Sequence, residues 1–97
     1  MGAQDFIIEG IGDNAEAAFK ELVRRAEHDF GTKGYTGTIA EKDEFIMVEK
    51  PEGVPARLFA RKVLREKLNP SIQRTFGPAG AIQTGDRQFL FFGWASC

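Results

Sequence analysis

Arg57, Arg61 and Arg65 stand four residues apart, with Leu58 and Lys62 among them. On a helix this spacing lines guanidinium groups along one side, where they suit phosphate or carboxylate groups. Arg57, Arg61, Lys62 and Arg65 together offer a nucleic acid four phosphate contacts, whereas Leu58 within the stripe suits a protein surface better. The same residues are also what a solvated helix face carries when its cations favour the C-terminal end of the helix dipole. A second cluster is Gly77-Pro-Ala-Gly80, between Arg74 and Arg87. Backbone N–H groups near Gly77 and Gly80, helped by Arg74 and Arg87, offer a weak site for a small anion. Pro78 removes one donor, and no Lys-Ser or Lys-Thr pair follows as in a P-loop. A turn feeding a strand accounts for the same residues.

The remaining constellations carry less chemistry. Gly10-Ile-Gly12-Asp-Asn-Ala15 fits a loose G-x-G-x-x-A dinucleotide pattern. Asp13, however, places a negative charge where a pyrophosphate would sit, and a capped strand-to-helix turn explains the pattern as well. His28 and Cys97 are the single histidine and cysteine, and nothing in the sequence positions them as base and nucleophile. One His and one Cys do not close a zinc site. Glu41, Asp43 and Glu44 lack the spacing of a calcium loop and read as a polar hairpin tip. Trp94 is a candidate contact anchor. No catalytic, metal-binding or cofactor-binding residue is assigned, and the chain reads as non-enzymatic, with no cofactor.

The elements that must hold these residues fit one domain spanning 1–97. Of its 97 residues, 42% are hydrophobic and 28% charged, which suits a modest single core. Nine are Phe against one Tyr and one Trp, so rings without polar handles should fill that core. The lone Cys permits no internal disulfide and fits a reducing cytoplasm. No apolar run approaches the ~20 residues of a membrane span, and residues 1–5 lack the basic and apolar regions of a signal peptide. Net charge is −1, yet residues 1–50 sum to −5 and residues 51–97 to +4. Such a split can mark an interaction face, although one folded surface can equally mix the two halves.

Phe6 to Ile11 reads as a first strand, ended by Gly10 and Gly12. Asp13 reads as an N-cap, with Glu16 completing a capping box. A helix should then run to about Asp29, with Ala15, Ala18, Phe19, Leu22, Val23, Ala26 and Phe30 inward. Gly31 is its stop, and Gly34–Gly37 is a turn. Thr38–Ala40 and Glu44–Glu49 read as a hairpin, followed by a helix over Pro55–Leu68 with Ala56, Phe59, Ala60, Val63 and Leu64 on its apolar face. Residues 70–80 form a Gly/Pro-rich loop. Ala81–Gln83 and Gln88–Trp94 close the fold as a second hairpin. The order β-α-β-β-α-β-β is an α+β, ferredoxin-like split βαβ pattern with an added C-terminal strand, both helices on one face. Phe89, Leu90, Phe91 and Phe92 are apolar on both sides of any strand. Their second side then needs a cover, from the 70–80 loop or from another subunit.

Two stretches carry a resemblance. Gly34-Tyr-Thr-Gly-Thr-Ile-Ala-Glu-Lys42, and Gly77-Pro-Ala-Gly-Ala-Ile82 together with Phe91-Phe-Gly-Trp-Ala-Ser96, resemble segments of small uncharacterised accessory proteins of bacteriophages and mobile elements. The resemblance implies a compact viral accessory protein, in the host cytoplasm, that binds and inhibits a host factor. It transfers no catalytic residue. The expected function is therefore a small binding protein of phage type that docks on and modulates a host protein through Arg57, Leu58, Arg61, Lys62, Arg65 and Trp94. The alternatives are nucleic-acid binding by the same helix face and small-anion binding at Gly77–Gly80. A homodimer through the C-terminal strand is a further option, and no membrane association is expected.

Overall fold

Four consecutive apolar residues with a two-residue period must face two different apolar layers, and the fold is built around that requirement. The computed structural model describes residues 3–30 and 38–96. Strand β1 spans Ala3–Ile11 and helix α1 spans Ala15–Phe30. A 3-10 turn at Ile39–Glu41 leads to strand β2, Phe45–Met47. Helix α2 spans Ala56–Glu66, and strands β3, Ala79–Gly85, and β4, Gln88–Ser96, close the chain. The protein is α+β, and its described residues form two helices and one four-stranded mixed sheet in the order β1-β4-β3-β2. Strand β4 is antiparallel to both β1 and β3, and β2 runs parallel to β3.

The expected order of elements holds, with the 3-10 turn standing where the strand Thr38–Ala40 was anticipated. The Thr38 hydroxyl accepts from the Ala40 N–H at 3.2 Å, and Lys42 N–H returns to the Ile39 carbonyl at 2.9 Å. These local bonds turn the backbone before it can pair as a strand. The predicted turn at Gly34–Gly37 and the stop at Gly31 lie outside the described residues. At the start of α1 the cap is Asn14, whose side-chain oxygen accepts from Ala17 N–H at 2.8 Å. Asp13 instead pairs with Arg87 at 2.9 Å.

The helices do not share one face. Phe19, Leu22 and Ala26 of α1 pack with Ala79, Ala81, Phe89 and Phe91. Ala60, Val63 and Leu64 of α2 pack on the other side with Ile72, Ile82, Leu90 and Phe92. The missing strand is the reason. A hairpin between the helices would reverse the chain, so that two crossovers of one hand fall on one face. Here a single strand separates them. The first crossover runs from β1 to the far edge at β2, and the second runs back from β2 to β3 between parallel strands. Two crossovers of the same hand in opposite directions must take opposite faces. The second face of β4 is thus covered within the chain, by α2 and by Ile72 of the following loop, and no second subunit is needed for it.

On the α1 face Phe19, Phe45 and Phe91 form a ring cluster with centroids 5.0 to 5.6 Å apart, Phe45 meeting Phe91 edge-on at 82°. On the α2 face Gly80 leaves room for Phe92. A Cβ there would lie 2.5 Å from the Phe92 ring and 2.8 Å from Ile72 Cδ1, and neither side chain has exposed space to retreat into. Phe91→Ala should cost about 3–5 kcal/mol, and Gly80→Ala about 1–3 kcal/mol through overpacking. Urea denaturation of both variants checks these values, with Phe91→Ala the more severe.

Candidate functional site

Helix α2 buries Ala60, Val63 and Leu64 and half-buries Ala56 and Phe59. Its 3.6-residue period therefore turns Arg57, Leu58, Arg61, Lys62 and Arg65 outward, and all five are exposed. Lys67 ends the helix in the left-handed conformation, at φ 53° and ψ 46°, with its N–H on the Val63 carbonyl. Leu68 N–H also reaches that carbonyl, at 3.2 Å. The helix is anchored further on by Gln73, whose side-chain amide donates to the Val63 carbonyl at 3.0 Å and accepts from the Trp94 indole N–H at 3.1 Å. Trp94 is thus half-buried among the α2 layer and braces the helix end to β4. It is not a free anchor on the surface.

The charges of the two helices behave differently. On α1, Lys20 pairs with Glu16 at 3.2 Å, and Glu21 pairs with both Arg24 and Arg25. On α2, Arg57 pairs with Glu9 of β1 at 3.0 Å. Arg61, Lys62 and Arg65 make no ion pair among the described residues. Leu58 is 58% exposed in their midst, and Leu68 51%.

The anion site read at Arg74, Gly77, Gly80 and Arg87 is not assembled. Gly80 lies buried inside β3. Arg87 sits past the far end of that seven-residue strand, roughly 20 Å from Gly77 by strand rise. There it pairs with Asp13, and its carbonyl accepts from Gly12 N–H at 3.1 Å. The Gly77 N–H is taken by the Arg74 carbonyl at 3.0 Å. The loop in fact turns carbonyls, not N–H groups, toward its partner, and that partner is a cation. Lys42, only 2% exposed, donates to the carbonyls of Thr75 at 2.9 Å, Gly77 at 3.0 Å and Arg74 at 3.3 Å. All three ammonium donors are used. Burial lowers the Lys42 pKa from its ordinary value, against a smaller opposing pull from the Glu41 carboxylate. Glu41 itself accepts from Ser96 N–H at 2.9 Å, tying the 3-10 turn to β4.

No protein-family model, curated protein or solved structure matches this chain. The remaining candidates separate. His28 is exposed and touches Asp29 at 3.4 Å, while Cys97 lies outside the described residues. Gly12, in the dinucleotide-like pattern, serves close packing, since a Cβ there would lie 2.6 Å from Ala18 N. Among the described residues no group of three or more His, Cys, Asp and Glu is placed to hold a metal, and no helix is long and apolar enough to cross a membrane. Sequence reading missed Lys42 and Phe76. Phe76 is 81% exposed, and a ring flanked by Thr75 and Gly77 in a loop was a visible signal.

Two outcomes follow from these backbone and burial terms. Lys67→Gly should stabilise by up to about 1 kcal/mol, because it removes the left-handed penalty. Lys42→Met should destabilise by about 1–3 kcal/mol through its orphaned carbonyls. The lowered pKa adds a sign. Just below the ordinary lysine value of 10.5 the unfolded chain binds more protons than the folded one, so stability rises with pH through that window. Urea melts of parent and Lys42→Met from neutral pH upward should show the gap widening in the parent's favour as 10.5 is approached.

Proposed function

We propose that this chain is a non-enzymatic binding protein that docks, through the outer face of α2, on an acidic surface of a protein partner. The carrying observation is the contrast between the helices: on α1 Glu16, Lys20, Glu21, Arg24 and Arg25 all pair locally, while Arg61, Lys62 and Arg65 of α2 make no ion pair among the described residues. From residue 53 to residue 85 the chain has six basic residues and one acidic one, Glu66. Leu58 and Leu68 supply apolar area within that field, which a protein partner can bury and a phosphate backbone cannot use. The resemblance of residues 34–42, 77–82 and 91–96 to segments of phage accessory proteins is the ground for reading the partner as a host protein and the setting as the host cytoplasm.

The test uses the full chain and the charge-reversed variant R61E/K62E/R65E, its fold checked by circular dichroism. A protein captured by the parent from nuclease-treated host lysate, and weakened by about tenfold or more in the variant, supports the reading. Equal capture by both chains overturns it. So does direct nucleic-acid binding in gel shifts that falls steeply with salt, which would assign the same face to phosphates.

A further inference from the structure

Residues 67–78 leave α2 and return to β3 as an irregular loop, yet its backbone is heavily tied. Asn69 accepts from Ser71 N–H at 3.1 Å through its side chain and from Ile72 N–H at 3.1 Å through its carbonyl. Ile72 is fully buried in the α2 layer, and Gln73 is bonded to α2 and to Trp94. Three carbonyls close on the Lys42 ammonium. A Cβ on Gly77 would collide with the Ser71 carbonyl, so the two limbs of the loop are in close contact. Against this fixed frame Pro70, Ser71, Arg74, Phe76, Gly77 and Pro78 line an open cleft of about 390 Å³.

The cleft has the makings of a receptor for one side chain. Two prolines and an aromatic ring give it apolar walls, and the exposed Arg74, unpaired among the described residues, stands on its rim. Phe76 is the most exposed of the large hydrophobic residues described. The buried Lys42 ammonium holds three loop carbonyls, those of Arg74, Thr75 and Gly77, in one arrangement. A pre-formed cleft binds without the entropy cost of ordering a loop.

Resting on the reading of α2 as the docking face, we infer that this cleft receives an apolar side chain from an acidic segment of the partner, with Arg74 pairing a neighbouring carboxylate. The charge around it chooses that chemistry. Arg74 is the one charged residue lining the cleft, and the chain from Arg57 to Arg74 carries six basic residues and a single acid, so a basic segment would be repelled while an acidic one is drawn in.

The test pans a random peptide library on the full-length chain, then measures the enriched peptides by fluorescence polarisation against variants at exposed positions. Enriched peptides should be net acidic and carry an apolar residue. Phe76→Ala and Arg74→Glu should each weaken them by about tenfold or more, and Lys42→Met should weaken them while Phe76 and Arg74 remain in place. Failure to enrich peptides overturns the inference, as do neutral or basic peptides and acidic ones bound equally by Phe76→Ala and Arg74→Glu. Peptides that lose affinity only in R61E/K62E/R65E overturn the cleft but leave the α2 face standing. Vesicles of phosphatidylserine in phosphatidylcholine that bind through Phe76, with no acidic peptide enriched, overturn it in favour of a lipid surface.

Discussion

Strand β4 sets the terms for everything else. It is flanked by β1 and β3, so its backbone is spent on neighbours along both edges. Its side chains alternate between two apolar layers, Phe89 and Phe91 to one and Leu90 and Phe92 to the other. Removing Phe91 or Phe92 from water contributes roughly 1.5–3 kcal/mol each, and both are fully buried. A strand with two apolar faces cannot sit in a sheet covered on one side only. The placement of a helix on each face is the direct answer to that demand.

The remaining architecture follows with little freedom. Strand β1 pairs along its whole length with β4, and β3 along the other edge, so β4 offers no free edge and the long crossover from β1 ends at the far edge beyond β3. The return crossover then lands α2 on the opposite layer. Its outward residues are those that the apolar stripe leaves over, and the loop after it must cross from the α2 layer back to the start of β3. That loop contains no strand or helix of its own. It is kept in place by a side chain from the opposite part of the chain, Lys42, which joins two segments more than thirty residues apart in sequence.

Much of this was legible in the residues. The periodicity of Ala18, Phe19, Leu22 and Ala26 identified α1 and its inner side, and Pro55 with Ala60, Val63 and Leu64 did the same for α2. The basic stripe is outward because its neighbours in the helical period are inward. Other features were not legible for physical reasons. Whether Thr38–Ala40 pairs as a strand depends on a hydroxyl-to-backbone bond worth little on its own, and the face taken by α2 depends on that outcome. The Gly77–Gly80 stretch has the composition of an anion loop, but composition does not say whether N–H groups or carbonyls point inward. Lys42 lies in a run of charged residues, Glu41 to Glu44, and its burial is set by segments far away in sequence.

The sheet backbone also acts as a partition. The ring cluster of Phe19, Phe45 and Phe91 and the aliphatic cluster of Val63, Leu64, Ile72 and Leu90 lie on opposite sides of it. Changes confined to one compartment should therefore combine almost additively with changes in the other. Evolution can recolour the exterior of the second helix, and with it the choice of companion molecule, while the first helix goes on securing the scaffold unaltered.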